Sequence, residues 1–441
     1  MKFLIRTVLA CFYLEHVVTL DCYWNTGCKY KYFSSKTPYE IVRGDIRDSI
    51  IKPIGCEAIS IWAIMRHGKR HPSIKYSQDI KDILKYKDYI ISSYEIGNSS
   101  LCAQDIENIR HWEINTGMLD EPNEIANEGY QELVGMGRRL KETFPKLLNE
   151  LQEQDYLFLP AFGQRMQKSA KAFVEGLNHK NLVTENAKND YSIMAPYATC
   201  GKYQVEVLRN PDVYYEEVEY KETEDYLNMK ERVERRLGLS FTITNDNITA
   251  MYDLCRYSWE GITNTPSPWC ALFSDEDLKV LEYADDLRHY YRNGYGVSHY
   301  SKVLGQMPLA DLLTNFEQAK NGKGKKIVSY FTHATMMDMI IVALNLYKDA
   351  NPLTGAHRDI NRKWRTTFLS TFTSNMIAVL NRCSKPDDNT YDYKIALYWN
   401  EKPLLEMCKE GVCSWQEFQD KFKPFLNATT DVCEFTWTLV D

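Results

Sequence analysis

One short stretch constrains this chain more than any other: Arg-His-Gly-Lys-Arg-His-Pro at 66–72, directly after an apolar run. The run, residues 58–65, predicts a strand buried on both faces. Five of the six residues from Arg66 to His71 then carry basic or imidazole side chains. Arginine binds phosphate oxygens, neutral histidine is a nucleophile, and glycine lets the backbone approach a ligand. This pattern favours a phosphate site over the alternative, a basic surface loop punctuated by a proline turn.

Two later segments repeat this arrangement, in which a strand ends at a basic or imidazole side chain and a helix follows. The apolar stretch at 156–161 precedes Arg165, and the apolar stretch at 327–331 precedes His333. Because ligands of open α/β sheets bind beyond the carboxyl ends of the strands, we expect these segments to meet. Alone, Arg165 is typical of a helix start in a surface loop, and His333 of a core or capping histidine. Together with His67 they indicate one phosphate pocket.

The alternation of strands and helices predicts an α/β fold with a central, mostly parallel sheet and helices on both faces. We assign residues 21–179 and 321–441 to this core. Residues 180–320 are rich in tyrosine and charge, with helical spacing of their apolar residues, and predict a largely helical insertion. Within the core, 127–148 reads as one long amphipathic helix, which Pro145 bends or stops.

The N-terminus and the net charge bear on location and partners. Residues 1–20 have a basic start and a short apolar core, which is typical of a secretory signal. The run falls well short of the roughly 20 apolar residues of a membrane anchor, so no membrane span is expected after signal removal. A net charge of -7 gives no general basic field for nucleic acid. Three sequons predict N-glycosylation of a secreted, extracellular protein: Asn98, Asn247 and Asn427.

Twelve cysteines agree with an oxidising compartment. Removal of Cys11 with the signal leaves an odd number, so at least one cysteine is free or pairs between chains. Their spacing makes two pairs plausible, Cys408 with Cys413 and Cys255 with Cys270, and leaves the other connectivity open. The absence of a Cys-x-x-Cys pair argues against a structural zinc site.

These motifs resemble the histidine phosphatase (histidine acid phosphatase) superfamily, and most closely its multiple inositol-polyphosphate phosphatases. The similarity covers nearly the whole mature chain, and further segments that look like this family lie at 127–145, 267–277, 293–296 and 347–354. The resemblance implies a phosphoglycerate mutase-like fold. It also implies a secreted, phytase-like phosphomonoesterase whose substrate is a phosphorylated small molecule, an inositol polyphosphate. A broad-specificity acid phosphatase is the nearest alternative.

The resemblance implies specific roles. His67 would attack phosphorus and form a phosphohistidine. The phosphate oxygens would be bound by Arg66, Arg70, Arg165 and His333. Phosphoryl transfer depends on positioning and fixed positive charge, which explains these residue types, and nearby arginines favour the neutral imidazole that attacks. Lys69 either adds to the substrate-binding charge or faces solvent. The scheme requires no metal and no cofactor.

One position departs from the family pattern. The resemblance implies an acidic residue just after the late histidine, as in His-Ala-Glu, to protonate the leaving oxygen. This chain has Thr335 there, and a hydroxyl is a poor acid, whereas general acid catalysis contributes about 10²–10⁴-fold. Three outcomes remain open. The chain is a slow phosphatase, or it uses another acid such as Asp338 on the same helix face, or it binds polyanions with little turnover.

Overall fold

The computed structural model describes residues 31–178, 182–185, 192–259, 267–385 and 388–435. Its centre is a seven-stranded sheet. In chain order the strands are β1 (Cys56–Arg66), β2 (Tyr156–Pro160), β3 (Ile327–Thr332), β4 (Asn375–Lys385), β5 (Asp388–Trp399), β6 (Lys402–Pro403) and β7 (Val412–Ser414). They lie in the order β2-β3-β1-β4-β5-β6, and β7 also pairs with β5.

The α-helices of the described residues fall into three groups along the chain. Those before the helical middle are α1 (Tyr39–Val42), α2 (Ile46–Ser49), α3 (Ile74–Ile83), α4 (Tyr86–Glu95), α5 (Ala103–His111), α6 (Thr116–Asp120), α7 (Asn127–Thr143), α8 (Pro145–Leu148) and α9 (Gln164–Gly176). Those of the middle are α10 (Pro196–Thr199), α11 (Gly201–Tyr203), α12 (Tyr215–Tyr220), α13 (Glu224–Leu237), α14 (Asn245–Tyr257), α15 (Asp275–Asn293) and α16 (Ser298–Lys320). The last are α17 (Ala334–Ala343), α18 (Thr366–Leu369) and α19 (Trp415–Phe422).

The predicted α/β class with a central sheet is confirmed, but the sheet is mixed rather than mostly parallel. Strands β1 and β2 both run parallel to β3, with Ile61 and Tyr156 opposite Ile327. All other pairings in the sheet are antiparallel. The reason is local: β4 and β5 follow each other almost directly, and so short a connection can only form a hairpin, whereas parallel strands need a crossover.

Strand β1 is buried on both faces, as its apolar sequence predicts. Trp62 and Ile64 belong to the core cluster that contains the apolar residues of α16 and α17. Ile61 and Met65 belong to the cluster on the other face, which contains those of α7 and α9. Alternate residues of a strand point to opposite faces, so a strand between two helical layers must be apolar at every position.

The helical predictions hold with one break. The helix predicted over 127–148 is divided, because α7 ends at Thr143 and α8 begins at Pro145. Proline has no N–H to continue the helix, which explains the position of the break. The described residues of 180–320 carry helices α10 to α16. The inserted-domain boundaries stay a prediction, and α16 packs directly on the sheet, where Trp62 Nε1 donates to Asp311 at 2.8 Å.

Disulfides join distant parts of the chain. Both predicted pairs are formed, Cys255–Cys270 and Cys408–Cys413. Among the described residues, two further disulfides join Cys56 with Cys383 and Cys200 with Cys433. The predicted signal at 1–20 and the cysteines Cys11, Cys22 and Cys28 lie outside the described residues. No helix in the described part of the chain has the length and apolar character that a membrane span requires.

The loop after β1 rests directly on the first turn of α7, and two glycines permit this contact. A Cβ atom on Gly68 would lie 2.3 Å from the Gly129 carbonyl oxygen. A Cβ atom on Gly129 would lie 2.2 Å from the Lys69 backbone nitrogen. The Ala126 N–H donates to the Lys69 carbonyl at 2.9 Å. This contact of backbone on backbone fixes the direction in which the loop leaves the strand.

We expect Gly129→Ala to displace this loop and to lower the free energy of unfolding by about 1–3 kcal/mol, the usual cost of overpacking. The matched control is Gly135→Ala on the same helix, whose Cβ would meet only the end of the Arg139 side chain, at 3.1 Å. Since alanine favours helix over glycine by about 1 kcal/mol, the control should be neutral or stabilising. Urea unfolding measures the stability of both variants. Equal stabilities of Gly129→Ala and Gly135→Ala would contradict the role of Gly129 in the contact between the loop and α7.

Candidate active site

The three strand ends meet at one cavity of about 300 Å³. His67 directly follows β1, Arg165 is the second residue of α9 after β2, and His333 caps the N-terminus of α17 after β3. The cavity is lined by these three residues together with Arg66, Arg70 and Thr335. The parallel register of β1, β2 and β3 therefore brings together residues that are far apart in the sequence.

The imidazole of His67 is held with one nitrogen free. Its Nδ1 lies 2.8 Å from the Gly68 carbonyl oxygen. A carbonyl oxygen only accepts hydrogen bonds, so Nδ1 carries the proton and Nε2 keeps its lone pair. Burial and the charges of Arg66 and Arg165 hold the pKa of this imidazole well below its usual value. His67 is therefore neutral, which is the form that acts as a nucleophile.

Arg66 is buried and has no carboxylate partner in the part of the chain that the structure describes. Its Nη1 donates to the carbonyls of Ser35 and Ser370, the latter at 2.7 Å. Its guanidinium lies over the ring of Phe372, 4.4 Å from the centroid. Burial and the charge of Arg70 lower its pKa to about 9. Carbonyl oxygens and an aromatic face position this cation but do not neutralise it, so its charge acts on the cavity.

Arg165 shares two features with Arg66. Burial and the charge of Arg70 lower its pKa to about 10. In the described structure, the Nε of each guanidinium is buried and has no hydrogen-bond partner. Buried donors in proteins are almost always paired, so two such donors at the edge of one cavity suit an oxyanion. Arg70 also lines the cavity, and its Nη1 donates to the His71 carbonyl at 2.7 Å.

The expectation that Lys69 contacts the substrate needs correction, and so does its solvent-exposed alternative. Lys69 is only 4% exposed and does not line the cavity. Its ammonium donates to the Trp259 carbonyl and lies 3.8 Å from Glu128. The physical reason is the direction of its side chain, which points from the loop toward α7. His71 is a turn residue, as expected, with its N–H on the Glu124 carbonyl at 2.8 Å.

His333 is paired with a tyrosine that sequence reasoning missed. Its Nδ1 lies 2.8 Å from the Tyr197 hydroxyl. Burial and the charge of Arg165 lower the pKa of His333 to about 3, and burial raises the pKa of Tyr197. Both groups are therefore uncharged. When Tyr197 donates to Nδ1, the ring proton of His333 is on Nε2, which can then donate to a phosphate oxygen.

The cavity is strongly cationic. The described residues that line it include six cationic side chains, Lys36, Arg66, Arg70, Arg165, Arg288 and Arg292, but one carboxylate, Asp285. That carboxylate accepts from Arg256 and lies 3.6 Å from Lys36, and Arg256 and Lys36 hold its pKa well below the usual range. Metal ions such as Mg²⁺ need several carboxylate or carbonyl oxygens, whereas this set of donors fits an anion.

Thr335 and Asp338 lie differently from each other. Thr335 is in the first turn of α17 and lines the cavity. Asp338 is fully buried one turn later and does not line it. The Asp338 Oδ2 accepts from His289 Nδ1 at 2.8 Å and from Asn293 Nδ2 at 3.2 Å. The suggestion that Asp338 itself donates a proton to the substrate is therefore corrected, since its carboxylate is enclosed by other side chains.

Sequence reasoning missed the wall of the cavity that α15 supplies. His289 and Arg292 both line it, and their spacing of three residues places them on one helix face. That spacing is the signal that could have found them. It is weak, because α15 carries charge on most of its surface. The segment around Lys36 was also missed, since its sequence is irregular and only the fold brings it to the cavity.

Comparison with known proteins identifies the family of this chain. The model of the histidine phosphatase superfamily (branch 2) matches residues 59–397. Multiple inositol polyphosphate phosphatase 1 of Drosophila melanogaster is 29% identical over 411 residues, which cover 90% of this chain and 85% of that protein. The Homo sapiens protein of the same name is 24% identical over 440 residues, with 91% and 88% covered.

Solved structures show the same fold. The phytase from D. castellii matches with a TM-score of 0.71 at 16% identity, over 92% of this chain and 88% of that one. The Bifidobacterium longum multiple inositol polyphosphate phosphatase, in complex with inositol hexasulfate, matches with a TM-score of 0.63 at 14% identity, over 84% and 92%. The predicted resemblance is confirmed: this chain belongs to the histidine phosphatase superfamily (branch 2) and is a phosphatase of that superfamily.

Proposed function

We propose that this protein hydrolyses phosphomonoesters of inositol polyphosphates through a phosphohistidine on His67. The observation that carries the proposal is the neutral imidazole of His67, with its proton on Nδ1, beside three arginines that have no carboxylate partner among the described residues. The names of the relatives support the substrate class, because the Drosophila melanogaster and Homo sapiens proteins are multiple inositol polyphosphate phosphatases. The Bifidobacterium longum relative binds inositol hexasulfate, a close mimic of the hexakisphosphate.

The reaction has two displacement steps. In the first, Arg66, Arg70 and Arg165 bind the phosphate oxygens, and His67 Nε2 attacks phosphorus opposite the ester oxygen. The P–N bond forms, the P–O bond breaks, and the leaving oxygen takes up a proton. In the second step, water attacks the phosphohistidine, the P–N bond breaks, and inorganic phosphate leaves. Fixed positive charge stabilises the transferring phosphoryl group in both steps, at no cost of reorganisation.

The rest of the cavity suits a substrate with several phosphates. Arg292 lines it beyond the three arginines around His67, and its Nε is buried without a hydrogen-bond partner among the described residues. Lys36 and Arg288 line it too, but Lys36 lies beside Asp285, and both carboxylate oxygens of Glu217 accept from Arg288. A single phosphate occupies only the cations next to the nucleophile, so Arg292 remains for a neighbouring phosphate of the same ring. This distribution favours inositol polyphosphates over the small monoesters of a broad-specificity acid phosphatase.

We expect the purified protein to release phosphate from both inositol hexakisphosphate and 4-nitrophenyl phosphate. His67→Ala should lower both rates by about 10⁴–10⁶-fold, because it removes the nucleophile. The control is His71→Ala in the same loop, whose imidazole contacts the Glu121 carbonyl outside the cavity and which should keep activity. Release of orthophosphate measures each rate.

The same assay separates the alternatives. Binding of inositol hexakisphosphate without turnover of either substrate would identify a polyanion-binding protein. Rapid turnover of the aryl ester with none of the inositol ester would identify a broad-specificity acid phosphatase. Unchanged rates in His67→Ala would overturn the phosphohistidine mechanism.

A second prediction concerns acid stability. The folded pKa of His333 is about 3, below the ordinary value of about 6.5. Between these values the unfolded chain binds a proton that the folded chain does not, so stability present above about pH 6.5 is lost as the pH falls. When the pH falls from about 7 to about 4, wild type should lose about 1–3 kcal/mol more unfolding free energy than His333→Asn, because the variant has no imidazole to protonate on unfolding. Urea unfolding at both pH values measures the difference, which would be zero if His333 titrated normally.

We also propose that the protein is secreted and carries N-linked glycans. Four disulfides within the described residues support an oxidising compartment. Asn98 and Asn427 are exposed, and Asn247 is partly exposed at the start of α14. Expression in secreting eukaryotic cells should give a protein in the medium whose mass falls after glycan removal. A triple Asn→Gln variant at these sites should show no such fall, and an unshifted wild type would refute the glycans.

A further inference from the structure

The first displacement step needs a proton that the groups around His67 do not supply. An inositol alkoxide is a poor leaving group, so the ester oxygen must be protonated as the P–O bond breaks. The Thr335 hydroxyl at the cavity wall is too weak an acid. His333 is neutral, since burial and nearby arginines lower its pKa to about 3. Asp285 is held ionised by Arg256 and Lys36. The donor must therefore be sought elsewhere in the cavity.

His289 on α15 has the geometry of a proton donor. Its side chain lines the cavity, and its Nδ1 lies 2.8 Å from the Asp338 Oδ2. A carboxylate only accepts, so Nδ1–H donates to Asp338, and Nε2 is the nitrogen left for the cavity. In a protonated imidazole both nitrogens carry hydrogen, so the Nε2 proton is the one that can be transferred.

The carboxylate behind His289 positions its imidazole. Asp338 is fully buried, and its Oδ1 has no hydrogen-bond partner among the described residues. A buried carboxylate needs hydrogen-bond donors, and the described residues supply two to its Oδ2, His289 Nδ1 and Asn293 Nδ2. The bond from Nδ1 fixes the orientation of the His289 ring.

The position of Asp338 is itself fixed. Its Oδ2 also accepts from Asn293 Nδ2 at 3.2 Å, and the Asn293 Oδ1 accepts from the Tyr203 hydroxyl at 3.0 Å. Asp338 follows Thr335 by one turn of α17, so Asp338 lies behind the wall at which Thr335 and His289 reach the cavity. A hydroxyl faces the substrate from α17, while a carboxylate one turn further holds the imidazole of α15.

We propose that His289 donates the proton to the leaving oxygen and that Asp338 is its positioning residue. The proposal rests on the proposed function. In the first step the His289 Nε2 proton passes to the ester oxygen, the P–O bond breaks, the alcohol leaves, and His289 becomes neutral. In the second step the neutral Nε2 accepts a proton from the attacking water as the P–N bond breaks. His289 ends protonated and His67 ends neutral, so the cycle is closed.

Lys36 is the competing donor. It lines the same cavity, and burial together with the charge of Arg256 lowers its pKa to about 7. Its ammonium lies 3.6 Å from Asp285 and over the Tyr76 ring, 6.0 Å from the centroid. Asp285 also accepts from Arg256, and its 3.6 Å contact with Lys36 is longer than the 2.8 Å hydrogen bond that holds His289 on Asp338. This firmer placement favours His289, and a Lys36 variant belongs in the test.

The test compares leaving groups. 4-Nitrophenolate leaves without a proton, whereas an inositol alkoxide needs one. We expect His289→Gln to lower kcat for inositol hexakisphosphate by about 10²–10⁴-fold and for 4-nitrophenyl phosphate by less than about 10-fold. Asp338→Asn should show the same selectivity with a smaller loss, a pattern that general destabilisation would not produce. Added imidazole should restore part of the inositol rate to His289→Gly.

The outcomes are distinct. Equal losses on both substrates in His289→Gln, or no loss on either, would overturn the assignment, and so would a selective loss in Lys36→Met instead. If Asp338→Asn does not fold, the assignment is decided by His289→Gln alone. Residue 289 lies at the cavity surface, and the rate of this variant on the aryl phosphate shows whether its site is intact. Failure of the proposed function looks different: wild type would then hydrolyse neither ester, or His67→Ala would keep its activity.

Discussion

Everything at this site depends on the parallel pairing of β1 and β2 with β3. The pairing sets the register in which Arg66 lies opposite Thr332 and Pro160 opposite Phe331, so all three strands end at the same edge. The residues that follow these ends, His67, Arg165 and His333, therefore reach the same cavity. A slip of one residue in β1 would point His67 away from the cavity, because side chains alternate between the two faces of a strand. The two helical layers prevent such a slip, since β1 is apolar on both faces.

The chain uses buried arginines in two contrasting ways. Arg362 is neutralised in the interior by Glu282 at 3.0 Å and Asp286 at 2.6 Å, and it holds α15 to the segment before α18. Arg66 instead contacts carbonyl oxygens and an aromatic ring. The first arrangement neutralises the cation. The second leaves the Arg66 Nε without a partner among the described residues and keeps the positive charge. The cost of keeping that charge out of water is reflected in the lowered pKa of Arg66 and in the neutral state of His67.

Sequence reasoning succeeded where a strand and the residues directly after it contain all the information that the prediction needs. The run before Arg66 predicted a strand buried on both faces, and the three strand ends predicted a shared cavity. It failed where orientation depends on tertiary contact. Lys69 faces α7 because Gly68 and Gly129 allow two backbones to touch, which no local pattern encodes. The mixed sheet was missed because the pattern of strands and helices was extended to β4 and β5, which form a hairpin.

The pair of His289 and Asp338 is a second feature that the sequence does not predict, because it too depends on a tertiary contact. The two residues are 49 positions apart, and each alone reads as an ordinary helix residue. Their contact places an imidazole at the cavity beside the arginines. Arginines held by carbonyls supply charge that stays in place, while a histidine held by a buried carboxylate can gain and lose a proton. Phosphoryl transfer to an alkoxide needs both kinds of group, since fixed charge stabilises the phosphoryl oxygens but cannot protonate the leaving oxygen. The position of Thr335 is therefore compatible with catalysis as long as the acid comes from a neighbouring helix.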